Sequence, residues 1–517
     1  MIRKTRATTI TNLVTLKQIH ALIIINGFTS NISFLRKLVS AAATSLVGPR
    51  AAATVAEYAH QMFAQIPQPD TFMWNTMIRG SSQSLDPLRA VALYTQMDHR
   101  SVKPDHFTFP FVLKACTKLL WVNTGSAVHG RVFRLGFGSD RFVRNTLLVF
   151  HAKCGDLKVA TEIFDDSDKG DVVAWSALIA GYAKRGDLKV ARRLFDQMPV
   201  KDLVAWNVMI TGYAKQGEMV SARKLFDEAP VRDVVSWNAM IAGYVLCNLN
   251  QPALDLFDEM SGIGVRPDEV TMLSLLSACV ELGDLENGRK MHAKVMEMSR
   301  GVLSTLLGNV LVDMYAKCGS IGEALHVFWS IRDKDVTSWN SVIGGLAFHG
   351  HAEESLGLFR EMLKSKICPN EITFVGVLVA CSHAGKVDEG YQYFDLMRSE
   401  YKIEPNIRHC GCMVDMLGRA GLLKEAFDFI ASMKIEPNAI VWRTLLGACK
   451  VHGDMELAKH ANEKLLQMRT DQSGDYVLLS NTYASRGEWD GVAKVRKLMD
   501  DSGVTKNRGS SFVEAYT

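Results

Sequence analysis

The stretch VVAWSALIAGYAKRG, residues 172–186, returns as LVAWNVMITGYAKQG at 203–217 and again as VVSWNAMIAGYVLCN at 234–248. Weaker copies begin at Thr71, Arg141, Thr305 and Val336, and longer variants at His106, Glu269 and Glu371, so that successive starts lie 31, 35 or 36 residues apart. Self-similarity at such a period marks a tandem array of one supersecondary unit. Each unit reads as two helices. The first carries Trp at its fourth place (Trp74, Trp175, Trp206, Trp237, Trp339, Trp442), with apolar residues three to four places on, at helical spacing. It is predicted to end at a fifteenth place held by Gly155, Gly186, Gly217, Gly283, Gly319, Gly350, Gly385, Gly421, Gly453 and Gly487, where a left-handed turn costs glycine no Cβ penalty. Asn248 holds that slot in the third copy.

A second helix follows, for instance LKVARRLFDQM from Leu188. Its twentieth place holds Ala90, Ala160, Ala191, Ala222, Ala253, Ala324, Ala426 and Ala458, or Gly125, Gly288 and Gly390 in the longer units. Small side chains there let the two helices of a hairpin approach closely. One hairpin cannot bury its apolar face alone, so neighbours must stack. The expected fold is therefore all-α: a right-handed α-solenoid superhelix of tandem helix-turn-helix hairpins around one continuous core.

Composition agrees. Of 517 residues, 48% are apolar and 22% charged, which excludes collagen, disorder and a disulfide scaffold. Lys and Arg total 59 against 55 acidic residues, a net +4, so any nucleic-acid surface must be local. Apolar runs such as 21–25 fall far short of the ~18 residues that span a bilayer. Ten cysteines are too sparse for a secreted scaffold and indicate reduced thiols.

Repeat register disposes of most catalytic candidates. Cys116, Cys279, Cys381 and Cys449 share the eleventh place, and Cys154, Cys247 and Cys318 the fourteenth, one per layer, so they do not converge on a metal. Cys410-Gly-Cys412 has no further Cys or His at ligand spacing. His351-Ala-Glu353 matches the H-x-E half of the zinc-deaminase signature, but no Pro-Cys-x-x-Cys follows it. No phosphate loop, dinucleotide fingerprint, HExxH or nucleophile elbow occurs. The residues point to recognition rather than enzymatic chemistry, without metal or cofactor.

The repeated phrase, closed by Pro-Asp in 35-residue units (Pro104-Asp105, Pro267-Asp268) and by Lys-Asp in 31-residue ones (Lys201-Asp202, Lys334-Asp335), resembles the plant pentatricopeptide-repeat family, and the mixed unit lengths resemble its PLS subclass. The rival tetratricopeptide array has a fixed 34-residue period with a Leu-Gly pair on its first helix, and neither is present. The stretches from His409, Ala439 and Gly474 look like the last short repeat and the two E motifs of the editing-factor subgroup. The chain stops at Thr517, where longer members continue into a DYW-type deaminase domain. The resemblance thus implies a short targeting segment at 1–15, a repeat array at 16–438, an E-motif region at 439–507 and a tail at 508–517.

The resemblance also implies a site. Such repeats read single-stranded RNA one base per unit through a few side chains along a concave groove. In the family the fifth and last residues discriminate: Asn at the fifth place goes with pyrimidines, a hydroxyl with purines, an acidic last residue with U or G, an amide with C or A. Asn75/Asp105, Asn145/Asp171, Asn207/Asp233, Asn238/Asp268 and Asn309/Asp335 then imply U, Ser176/Asp202 implies G, and Asn340/Asn370 implies C or U. Pro110, Leu273 and Val375 leave the long units unread, and Gly411 with Asn438 is uninformative. The expected footprint is U-x-U-G-U-U-x-U-Y, upstream of an edited C. Val173, Val204 and Val235, at the second place, would flank bases; Lys153, Lys184, Lys215 and Lys317, at the thirteenth, would face phosphates or else sit as solvated charges at helix C-termini.

Implied partners are single-stranded organellar RNA, a deaminase-bearing DYW-type protein and accessory editing factors on the E motifs, with neither membrane nor DNA. No acidic residue precedes Glu57, whereas Arg3, Lys4, Arg6, Lys17, Arg36, Lys37 and Arg50 do, a pattern like an organellar transit peptide, although the stretch from Leu16 already reads as a degenerate long repeat. The family resemblance implies the organellar address, with mitochondrion expected and chloroplast the alternative. Transcript stabilisation, processing or splicing without editing is the alternative function, and a protein-interaction scaffold without RNA affinity a second.

Overall fold

The computed structural model describes residues 13–25, 27, 31–45, 53–167, 171–468, 473–484 and 487–501. The segment expected to target the protein, apart from 13–15, and the tail at 508–517 lie outside these residues. Apart from one 3-10 turn, Phe137–Ser139, every described element is an α-helix. None is long and apolar enough to cross a membrane. The chain divides into two compact units, Met1–Cys247 and Asn248–Thr517.

In the first unit the helices Thr71–Gln83, Thr108–Leu119, Arg141–Cys154, Val172–Lys184, Leu203–Lys215 and Val234–Leu246 stack side by side as one layer, each against the next. The second helices Leu88–His99, Val122–Arg134, Leu157–Asp165, Leu188–Gln197 and Met219–Glu228 pack behind them. The second unit repeats this pattern with first helices Glu269–Leu282, Thr305–Lys317, Val336–Phe348, Glu371–Ala384, Ile407–Arg419 and Ala439–His452. It closes with the hairpin of Ser473–Ala484 on Trp489–Asp501.

One aromatic contact recurs where a unit carries the fourth-place Trp. The fourth-place Trp meets, edge-on, a Phe from the second helix of the hairpin before it: Phe164–Trp175, Phe195–Trp206 and Phe226–Trp237 lie 4.7, 4.8 and 4.8 Å apart between ring centres, and Phe328–Trp339 5.0 Å. Such pairs add about 0.5–1.5 kcal/mol beyond the area they bury. The Lys that closes the short units lies over the same Phe: Lys201 Nζ is 5.3 Å from the Phe195 ring centre and Lys334 Nζ 5.1 Å from that of Phe328. Each ammonium also donates to a carbonyl at the end of its second helix, Lys201 to Met198 O and Lys334 to Ile331 O. The Lys-Asp pair thus ties off one helix with its first residue and begins the next with its second.

The small residues fall where the spacing put them. The twentieth-place alanines are buried, and a Cβ on Gly288 would fall 2.5 Å from Met314 Sδ. The fifteenth-place turn is left-handed at Gly186, Gly217, Gly319 and their equivalents, and at Asn248 (φ 57°). Gly155 is the exception. Its φ is −101°, although it caps the helix before it as Gly283 and Gly385 do at positive φ. Glycine is needed there for space, since a Cβ would lie 2.6 Å from His151 Nδ1. A further small position, the tenth place of the first helix, was not part of the expected pattern: a Cβ on Gly181 would lie 2.9 Å from Ala152 O, and one on Gly243 2.6 Å from Ala214 Cβ.

Gly243→Ala therefore destabilises the first unit by about 1–3 kcal/mol through overpacking, although Ala exceeds Gly in helix propensity by about 1 kcal/mol. Urea unfolding of the variant beside Ser277→Ala, which sits on an exposed helix face, checks the sign.

Candidate nucleic-acid interface

The first helices begin on polar residues because their leading N–H groups have no partner within the helix. The last residue of each unit supplies it. Asp171, Asp202 and Asp233 accept from Val173 N, Ala205 N and Ser236 N, and Asp335 and Asn370 from Ser338 N and Thr373 N, at 2.8–3.1 Å. Asp105 Oδ1 accepts from Phe107 N and Thr108 N. The long units supply caps too, with their last residues Asp140, Ser304 and Asn406 accepting from Val143 N, Leu307 N and His409 N of the helices that follow.

The fifth-place side chain reaches that same cap. Asn75 Nδ2 donates to Asp105 Oδ1 at 2.8 Å, Asn145 Nδ2 to Asp171 Oδ2 at 2.6 Å, Asn207 Nδ2 to Asp233 Oδ1 at 3.0 Å and Asn309 Nδ2 to Asp335 Oδ1 at 3.0 Å. Ser176 Oγ donates to Asp202 Oδ1 at 2.8 Å, and Asn340 Nδ2 to Asn370 Oδ1 at 3.0 Å. Asn238 lies in the first unit and Asp268 in the second, where Asp268 caps Glu269–Leu282 through Thr271 N at 2.9 Å. Each of the six pairs that lie within one unit is thus joined directly. Where the fifth place cannot bond, the first place substitutes: Ser304 Oγ donates to Glu269 Oε1 at 2.7 Å and Asn406 Nδ2 to Glu371 Oε2 at 3.2 Å.

A hydroxyl two residues into the next helix completes three of the sites. Thr108 Oγ1 donates to Asn75 Oδ1 at 2.7 Å, Ser236 Oγ to Asn207 Oδ1 at 2.6 Å and Thr373 Oγ1 to Asn340 Oδ1 at 2.6 Å. With the amide oxygen and one amide hydrogen fixed, each of these Asn side chains keeps its second N–H for a ligand. The bonds on the last residue converge on one atom. For Asp105, Asp202, Asp233 and Asp335 the cap and the fifth-place donor both fall on Oδ1. Burial pushes the Asp233 and Asp335 carboxyls up, but the donors from the following Ser and the preceding Asn outweigh it, and both titrate below the usual carboxylate range.

Two pairs the sequence reading did not find involve arginine. Arg36, five places into Ile32–Ser45, sets Nε and Nη2 at 2.9 and 2.8 Å from Asp70 Oδ2, while Asp70 Oδ1 caps Thr71–Gln83. Arg141 Nε lies 3.0 Å from Asp171 Oδ2. Arg36 lies 34 residues before Asp70, outside the 26- and 30-residue spacings of the other pairs, so counting by units does not lead to it.

Val173, Val204 and Val235 stand exposed one residue into their helices, beside these pairs, and Phe72, Phe142, Leu306 and Ile372 occupy the same place in other units. The thirteenth-place lysines sit at the opposite helix ends, about 12 Å along the axis from the fifth place. There Lys184 Nζ donates to Lys153 O at 3.4 Å and Lys317 pairs with Asp313 at 3.0 Å, while Lys153 and Lys215 are exposed. Positive charge is favourable at a helix C-terminus whether or not a phosphate is near. Among the described residues no group of three His, Cys, Asp or Glu could hold a metal ion.

Stacked helical hairpins with a recurring polar pair define a repeat protein, and comparison with known sequences supplies its family. A PPR repeat family model matches 69–118, 232–281 and 334–383, a PPR repeat model matches 173–203, 204–234, 309–336, 372–401 and 408–436, and an E motif model matches 452–514. The pentatricopeptide repeat-containing protein At5g15300 of Arabidopsis thaliana is 59% identical over 97% of this chain and 91% of its own length. At5g56310 of the same plant is 39% identical over 97% and 88%. The chain belongs to the pentatricopeptide-repeat family. A crystal structure of the pentatricopeptide repeat protein PPR10 in complex with an 18-nt psaJ RNA element is 16% identical, covering 91% of this chain and 85% of that one at a TM-score of 0.49.

Removing a cap tests its structural share. Asp202→Ala lowers stability by about 0.5–2 kcal/mol in urea unfolding. The lowered carboxyls set the pH dependence: their stabilisation is complete above the unfolded value near 4 and is lost as pH falls through the lower folded values. Asp335→Asn keeps a capping oxygen, so its stability at pH 7 stays close to that of the parent while its loss on acidification is smaller.

Proposed function

We propose that this chain is a sequence-specific single-stranded RNA-binding protein that selects a cytidine for C-to-U editing in a mitochondrial transcript. Deamination is supplied in trans by a deaminase-bearing protein docked on the E-motif region, proposed to span 439–507 behind an array at 16–438. Plastids are the alternative compartment.

The observation that carries the reading is the split of the last residue into an inward and an outward atom. Capping needs an acceptor, so an oxygen must face the helix N–H groups. An Asp at that place then turns its second carboxylate oxygen, an acceptor, away from the cap. An Asn must spend its only oxygen on the cap and turns out an NH2, a donor, as Asn370 does with Oδ1 on Thr373 N. Uracil and guanine present a ring N–H on their pairing edges, whereas cytosine and adenine present a bare ring nitrogen. An outward acceptor therefore suits U or G, and an outward donor C or A. The exposed second-place apolar residues supply flanking surface, and the lysines at the far helix ends supply phosphate contacts whose contribution falls with salt.

The exchange Asp233→Asn at the fifth footprint position should shift preference there from U toward C by about tenfold in binding to a pair of synthetic RNAs, with other positions unchanged. In a plant lacking the protein, sequencing of organellar RNA should show lost conversion at one or a few C sites preceded by the footprint. Intact editing with an altered transcript end or a retained intron would move the protein to the stabilising or splicing class, and equal affinity for footprint and scrambled RNA would remove the reading.

A further inference from the structure

The Asn/Asp pairs look alike in sequence, but Asn145/Asp171 differs in its bonding from Asn75/Asp105, Asn207/Asp233 and Asn309/Asp335. At Asp171 the cap takes Oδ1, through Val173 N at 3.0 Å, and both Asn145 Nδ2 and Arg141 Nε take Oδ2. No outward oxygen is left over. The Asp171 side chain is 8% exposed, and that of Arg141, at the first place of the same unit, 72%. Asp202 and Asp233 are less buried and Asp335 is exposed. Sister units have Thr71, Val172, Leu203, Val234, Thr305 and Val336 at the first place, none of which carries a cation. Asp70 shows the same chemistry independently, its Oδ2 held by Arg36 while Oδ1 caps.

Resting on the RNA-reading role above, we propose that Arg141 is a specificity-determining residue that removes discrimination between U and C at the Asn145/Asp171 unit. The guanidinium spends the acceptor that would meet the ring N–H of uracil and neutralises the carboxylate. What remains for a base is the Asn145 amide. Its Oδ1 is not fixed by a hydroxyl, because the equivalent of Thr108, Ser236 and Thr373 in the next helix is Ala174. An amide with one N–H and its oxygen free pairs with either pyrimidine, accepting from uracil or donating to cytosine. The footprint becomes U-x-Y-G-U-U-x-U-Y.

The test compares affinities of the full chain for footprint RNAs that carry U or C at the third position and, separately, at the fifth, read by Asn207/Asp233. The wild-type protein should bind the third-position pair within about twofold while preferring U about tenfold at the fifth. Arg141→Met should raise the third-position preference for U toward that of the fifth, with helicity and melting unchanged. A wild-type preference for U at the third position equal to that at the fifth overturns the role of Arg141 and leaves the RNA-reading intact. Absence of preference at both positions overturns the reading itself, and this inference with it.

Discussion

First helices of the array start on a side chain that belongs to the hairpin before them, and in six units that side chain is held in turn by the fifth residue of its own hairpin. This cap is the constraint on which the remainder depends. It fixes the junction between hairpins, because a carboxylate that must satisfy helix N–H groups on one side and accept from an Asn on the other has little freedom of direction. It also brings together two residues 26 to 30 positions apart in the chain, as in Asn207–Asp233 and Asn75–Asp105. The cap operates in units where no base can be read as well as in those where one can: Asp140 and Asn406 close units with Pro110 and Val375 at the fifth place. Helix initiation is therefore the common role of the position, and recognition is added by whatever the cap leaves over.

The neighbouring contacts reinforce the junction. At Asp202 and Asp335 the Trp–Phe edge contact and the Lys over the same Phe lie within a few residues of the cap, so aromatic packing, a cation and a helix start meet there. Each is worth about 1 kcal/mol alone. Repetition makes them decisive, since the stability of a stacked array is close to a sum of unit terms and nearest-neighbour interfaces. A tenth-place glycine such as Gly243 serves the same end by letting successive first helices touch backbone to side chain.

Much of this was legible in the sequence because a repeat states each requirement many times. The Trp, the small twentieth place and the polar pair stood out by recurrence, and the helices fall at the positions their period predicted. What escaped was set by single units or by three-dimensional proximity. Gly155 looks like its sisters, yet its φ is −101° and the residue serves to clear the His151 ring. Arg141 and Arg36 occupy slots that vary between units, so no register argument marked them, although each closes the acceptor that the general rule would leave open. The direct bond between fifth and last residues was likewise not evident from spacing. It matters because an Asn already paired to its Asp offers a ligand one remaining edge rather than a free amide.

The most direct measurement of the account is affinity selection of the full chain from a pool of random RNAs, followed by sequencing of the bound fraction. The account predicts enrichment of U at the positions of Asn75, Asn207, Asn238 and Asn309, of G at that of Ser176, and no preference at those of Pro110 and Leu273. A bound fraction with the base composition of the starting pool, or with preferences out of register with those units, would contradict it.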